Sequence, residues 1–173
     1  KGNLENTTLL TDSLNSHDIC VHCAALSSLW GKLDAFYKAN VIGTQNILQA
    51  AYKNKIQRFI HISSPSIYFQ YKDQYNICEK DFFPKKFPNY YAKTKWLAEN
   101  EVTKYYNRMQ CIILRPRAIF GRGDTALLPR LLSANKRIGI PCRNGANFLV
   151  DITHIDNVVH AICLAMKSNR NTC

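Results

Sequence analysis

The chain has 173 residues and a mass of 19.8 kDa, enough for one ordinary domain or part of a larger one. With 46% hydrophobic and 20% charged residues it can bury a real core, which excludes bulk disorder. The net charge of +11 raises the question of nucleic acid. The 23 basic residues are spread out, however, with no basic–aromatic stripe, so no nucleic-acid partner is expected and an anionic ligand is the other use of the charge.

The longest apolar runs, such as residues 111–114 and 161–166, fall far short of the roughly 20 residues a membrane span needs. The chain opens on Lys1 rather than Met, and nothing near that end resembles a secretory signal. The seven cysteines are odd in number and scattered. Cys20 and Cys23, flanking His22, form the one metal-like pair, but no second pair follows at finger spacing, so no metal is expected. Reduced thiols in a cytoplasmic protein are the expected state.

Residues 18–25 form a continuous apolar run that predicts a buried strand of the parallel-sheet kind. Residues 36–52 carry Phe36, Val41, Ile47, Leu48 and Ala51 at helical spacing. Residues 58–64 predict a second buried strand, and residues 68–88 a long loop of the sort that is usually functional. A helix over 89–106 and a strand over 110–116, stopped by Pro116, follow. This alternation predicts an α/β sheet with right-handed crossovers. Beyond Gly121 the pattern changes: residues 126–134 read as helix, 147–151 as extended and 156–167 as helix, with Asp156 and Asn157 as its expected caps.

Tyr91 and Lys95 stand four apart at the start of a predicted helix, so both project from one face. A nearby ammonium favours tyrosinate and lowers a phenol pKa, and such a phenol can exchange a proton with a substrate oxygen. The spacing alone is weak, because Tyr68 and Lys72 match it too, but those two fall in loop-like sequence. Tyr91–Lys95 opens an amphipathic helix, and a strand ending in Ser63 and Ser64 precedes it by about 25 residues, at the sheet end where open α/β folds place ligands. His22, His61, His154 and His160 share no ligand spacing and read as packing residues.

Ser64, Tyr91 and Lys95, in this order on a strand–loop–helix frame, resemble the extended short-chain dehydrogenase/reductase family. Four flanking stretches agree: residues 22–25, 39–46 with Asn40, Val41, Gly43 and Thr44, 114–121, and 150–157. The resemblance implies an α/β fold, an incomplete Rossmann-like parallel sheet with flanking helices. Residues 1–121 would be the C-terminal part of a dinucleotide-binding domain. Residues 122–173 would be part of a small C-terminal substrate domain, with a helix returning to the first.

The resemblance also implies roles. Tyr91 would be the general acid/base and Lys95 its pKa partner and ribose ligand. Ser64, rather than Ser63, would polarise the substrate carbonyl. Asn40 would hold a water or backbone carbonyl supporting Lys95. Ala24, Ala25, Pro116, Ala118 and Ile119 would line the cofactor together with Tyr91 and Lys95. The cofactor would be NAD or NADP and the partner a small-molecule substrate; a homodimer is the assembly to test. Arg115, Arg117 and Arg122 are candidates for an anionic substrate or for solvated roles.

The family's Gly-x-x-Gly-x-x-Gly turn is not in the sequence. Gly121, Arg122 and Gly123 open a helix, but no acidic residue follows at ribose-binding distance, so that turn is read as a substrate-side one. The chain is therefore expected to be truncated at both ends and to bind a dinucleotide weakly alone. Residues 115–124 and 127–132 resemble the 3β-hydroxysteroid dehydrogenase branch. Residues 63–69 and 25–31 resemble its bacterial 2-alkyl-3-oxoalkanoate reductases. Hydride transfer at a C–OH/C=O carbon of a hydroxysteroid-like or 3-oxoacyl substrate is the first reading. A nucleotide-sugar epimerase/dehydratase, and a non-catalytic Rossmann-like binding protein or inactive gene fragment, are the alternatives.

Overall fold

A computed structural model describes residues 2–28, 30–139 and 150–168. Residues 147–149 of the expected extended stretch, and Cys142 and Cys173, lie outside the described residues. The chain divides into two compact units: residues up to Arg115 together with those from Ala165 on, and Pro116–Leu164.

In the first unit, β1 (Ile19–His22), β2 (Arg58–Ile62) and β3 (Gln110–Leu114) form a parallel sheet in the order β1-β2-β3. Asp18 caps the pairing by accepting from the Gln57 and Arg58 N–H groups. Because strand side chains alternate, Cys20, Phe59, Cys111 and Ile113 share a core cluster with Ile47, Leu48 and Ala51 of α3 (Gly43–Lys53) and Val102 of α4 (Tyr90–Thr103). Phe59 and Leu48 are fully buried, each contributing roughly 1.5–3 kcal/mol by removal from water. The opposite face gathers Ile60 and Ile112 with Ala165, near the end of α6 (Ile155–Lys167).

Residues 7–13 add α1, capped by the Asn6 side chain, which accepts from the Leu9 N–H. The helix expected over 36–52 is three segments: α2 (Leu33–Phe36), one π turn (Tyr37–Ile42), then α3. The extra residue of the π turn buries Asn40 and Val41 together, a local feature often found at functional sites. α4 starts at its Asn89 cap, whose side chain accepts from the Ala92 N–H at 2.8 Å. Between β2 and α4 only a 3₁₀ turn, Pro65–Tyr68, is regular. The loop after it is fastened by aromatic contacts: Phe83 stacks on Tyr68, and Phe83 and Phe87 both meet Trp96 of α4.

In the second unit, β4 (Ile119–Phe120) pairs parallel with β5 (Thr153–His154), and α5 (Leu128–Ile138) lies between them in sequence. Gly121 has φ 140, and a Cβ there would meet Ile155 Cγ2 at 2.5 Å, so only glycine fits where β4 ends. Asp156 and Asn157 fall inside the first turn of α6 rather than at its cap, and His154 Nδ1 takes the Asp156 N–H.

Candidate active site

Ser64 ends the loop side of β2 and caps the 3₁₀ turn, its hydroxyl accepting from the Ser66 N–H at 3.3 Å. The Ser64 hydroxyl, and the Ser27 hydroxyl from the segment after β1, both act on the Tyr91 phenol. Ser63 is turned the other way. Its amide donates to Leu114 O at 2.7 Å, and its buried hydroxyl has no partner among the described residues. Burial pushes the Tyr91 phenol above its ordinary value, while the Ser64 and Ser27 hydroxyls pull it down. Lys95 is not among the groups that set it, so the lowering expected from the ammonium is replaced by net raising through desolvation.

Lys95, one helical turn on, is 2% exposed. Its Nζ donates to Ile62 O at 2.7 Å and stands 3.5 Å from His61 Nε2. Burial lowers its pKa to about 8, with Glu99 and Cys23 acting in the opposite direction. His61 is fully buried and packs its ring 5.3 Å from that of His22, its register partner on β1. Burial, with the Lys95 charge next, lowers the pKa of both histidines, that of His22 to about 4.

Asn40 bonds the backbone of Leu26 and the Thr94 hydroxyl. Its Oδ1 accepts from the Leu26 N–H at 2.7 Å, and its Nδ2 donates to Leu26 O at 3.2 Å and to Thr94 Oγ1 at 3.0 Å. It therefore fixes the segment carrying Ala24, Ala25 and Ser27 against the helix residue beside Lys95. The backbone carbonyl it holds is that of Leu26.

The second Tyr-x-x-x-Lys match separates. Tyr68 ends the 3₁₀ turn and Lys72 lies in exposed loop, so no helix gives them a common face. Tyr68 instead accepts from Arg115 NH1 at 2.8 Å and donates to Glu79 O. Arg115 also grips Glu99 through Nε at 2.9 Å and NH2 at 2.7 Å. Arg115 is thus committed inside the fold and is not an available substrate cation.

Ala24 and Ala25 follow β1 and are exposed. Pro116, Ala118 and Ile119 belong to the second unit, where Ala118 has φ 43 and its carbonyl accepts from the Thr153 N–H. Arg117 and Arg122 are exposed there. The Gly121–Gly123 turn leads into α5, but the amides of Ala126, Leu127 and Leu128 all donate to the Asp124 carboxylate, so its own side chain fills the place a phosphate would take. Sequence reasoning missed Ser27, His61, Thr44 and Glu99. Glu99 had a signal, since it lies at i+4 from Lys95 on the same helix face. The others come together only in the tertiary structure: His61 by strand pairing, Ser27 from the segment after β1 and Thr44 from α3.

This is an α/β arrangement: a parallel sheet with helices on it, a serine at one strand end and a tyrosine and lysine on α4. The chain belongs to the 3-beta hydroxysteroid dehydrogenase/isomerase family, whose model matches residues 1–172. It is 30% identical over 173 residues to the 2-alkyl-3-oxoalkanoate reductase of Shewanella oneidensis, covering 95% of this chain and 45% of that protein. It is 32% identical over 171 residues to the human sterol-4-alpha-carboxylate 3-dehydrogenase, decarboxylating, covering 96% and 46%. The chain thus spans about half the length of the curated relatives it matches. Among solved structures, MoeE5 in complex with UDP-glucose and NAD superposes with a TM-score of 0.84 at 25% identity, over 99% of this chain and 59% of that one. The UDP-glucuronic acid 4-epimerase from Bacillus cereus in complex with NAD superposes equally well, at 0.84 and 24% identity over 98% and 55%, a likeness of fold. Among the described residues no helix is long and apolar enough to cross a membrane.

Proposed function

We propose that this chain carries the proton-transfer half of an NAD(P)-dependent oxidoreductase acting at a C–OH/C=O carbon of a hydroxysteroid-like or 3-oxoacyl substrate. The observation that supports it is the Tyr91 phenol engaged by Ser64, with the buried Lys95 ammonium one turn away on the same helix. The residues fit the nicotinamide end of a dinucleotide. Of the three Lys95 N–H groups, one is bound to Ile62 and one faces His61, leaving one for ribose hydroxyls, and the small exposed Ala24 and Ala25 leave room beside β1. The dinucleotide, when bound, supplies a ring carbon that gives or accepts hydride.

The chain's own part is the proton. Burial keeps Tyr91 protonated at rest, ready to donate to a carbonyl oxygen during reduction. Ser64 hydrogen-bonds the same oxygen and polarises it. In the oxidative direction the Tyr91 phenolate takes the proton back, a form that the Ser64 and Ser27 hydroxyls favour. Pro116, Ala118 and Ile119 are proposed to meet the nicotinamide through their backbone, as the resemblance implies. A cytoplasmic setting, expected from the odd number of scattered cysteines, belongs to this reading. A homodimer is part of the same proposal and is checked by sedimentation of the full-length protein.

A nucleotide-sugar epimerase or dehydratase is the second reading, favoured by the sugar nucleotides and NAD named with the superposing structures. Purified full-length protein assayed with 2-alkyl-3-oxoalkanoates, 3-ketosteroids and UDP-sugars decides between them. Turnover of UDP-sugars alone would overturn the first reading. In the same protein Tyr91→Phe removes the transferable proton but keeps the ring, so kcat should fall by about a hundredfold or more with the melting temperature nearly unchanged. A variant within a few-fold of wild type would remove Tyr91 from its role.

A further inference from the structure

His61 is an expensive residue for its place. It is fully buried in the middle strand, on the face whose neighbours Phe59, Cys111 and Ile113 are apolar, so packing does not call for an imidazole. Its Nδ1 has no partner among the described residues. A buried donor or acceptor left unpaired is destabilising, so the ring must be retained for something its other nitrogen does. That nitrogen, Nε2, faces Lys95 Nζ at 3.5 Å, long for a hydrogen bond but well within ion–dipole reach.

The neighbouring bonds fix the arrangement. Thr44 donates its hydroxyl to Asn40 O at 2.7 Å, so it can only accept from His22, and His22 carries its proton on Nε2. The His22 ring is thereby locked beside His61. An ammonium donates only, so His61 must turn a bare Nε2 toward Lys95 and carry its proton on the unpartnered Nδ1. Glu99, the carboxylate nearest in sequence on α4, is held by two bonds to Arg115.

We propose that His61 is a positioning residue for Lys95: its neutral imidazole, aimed by β2 and locked by His22, holds the ammonium against the Ile62 carbonyl and leaves one N–H uncommitted for a ligand hydroxyl. A neutral partner steadies the charge without pinning the proton as a carboxylate would. The groups that face this pair are His22 from β1, Cys23 just after it, and Glu99 from α4. The inference rests on the role given above to Lys95.

The test uses the full-length protein and begins with wild type. Two-bond ¹⁵N–¹H correlation should show His61 as the neutral Nδ1–H form between about pH 5 and 8. A cationic ring or an Nε2–H form at neutral pH would overturn the proposal. His61→Leu removes the acceptor, so the Lys95 titration midpoint, read from ¹³Cε-labelled lysine, should move down by about one pH unit, and the pH limb of kcat should follow it. His61→Gln, which offers an amide oxygen, should restore both. A folded His61→Leu protein with an unmoved midpoint overturns the proposal. Should His61→Leu not fold, the wild-type tautomer and a His61→Gln midpoint shifted as far as a His61→Phe one decide against it in the same way. Failure of Tyr91→Phe to slow the reaction would defeat the proposed function while leaving the midpoint and tautomer results to stand.

Discussion

At the scale of single residues, the sheet end holds three basic groups that burial pushes toward their neutral forms. His22 and His61 have lowered pKa values, and Lys95 is lowered to about 8. In the unfolded chain His22 takes up a proton near pH 6.5, whereas in the folded protein it does so only near pH 4. Between those values the unfolded state binds more protons, so stability rises with pH and is lost as pH falls. The loss attributable to His22 is of order 3 kcal/mol once pH is below both values. Urea unfolding of the full-length protein at pH 7 and pH 4.5 should therefore show a marked drop. His22→Gln keeps a donor for Thr44 without a titrating ring, and should make the drop shallower. Equal drops in both proteins would show that His22 is not the group responsible. Lys95 works in the same sense at the other end. Lowered from 10.5, it adds stability as pH rises from about 8, where the folded protein has already released its proton.

Among the elements, α4 carries two tasks on successive turns. Tyr91 and Lys95 present chemistry, while Glu99 anchors the helix to β3 through Arg115, and Arg115 holds the 3₁₀ turn through Tyr68. The pair is nearly buried, with side chains 5% and 11% exposed. Breaking such a pair from one side strands a charge and costs about 3–5 kcal/mol. Glu99→Gln should accordingly lower the melting temperature steeply, and a shift of a degree or two would show that the pair is replaceable. Tyr68→Phe removes an acceptor from Arg115 and a donor to Glu79, a loss of about 1–3 kcal/mol. Its kcat at a temperature where it remains folded should stay within a few-fold of wild type, because its phenol is committed to the anchor. A loss matching that of Tyr91→Phe would move the acid/base role away from Tyr91.

For the molecule as a whole, the sheet of the first unit is a three-stranded parallel one in which β1 has a neighbour on one side only. The backbone groups on its other edge have no strand partner among the described residues. No Gly-rich turn stands in the sequence to cradle a pyrophosphate, and Asp124 fills the amides at the start of α5. The 173-residue polypeptide should bind NAD or NADP only weakly. Isothermal titration showing micromolar affinity for the polypeptide alone would mean that a different phosphate cradle exists.

The sequence by itself determined the parallel α/β sheet, because short apolar runs at 18–25, 58–64 and 110–116 alternating with amphipathic helices leave little else. It also determined that Tyr91 and Lys95 share a face, since four residues on a helix is one turn. It could separate them from Tyr68 and Lys72 only through loop-like composition, a separation the 3₁₀ turn and exposed loop make geometric. It could not show the π turn, whose buried Asn40 bonds Leu26 across 14 positions. Nor could it name Leu26 as the residue whose backbone Asn40 holds, or reveal that Arg115 is spent on Glu99. The meeting of His22, His61 and Lys95 was likewise decided by tertiary structure alone. Strand register sets two histidines from different strands side by side, and the packing of α4 over that sheet end brings a lysine onto them, a coincidence no spacing along the chain encodes.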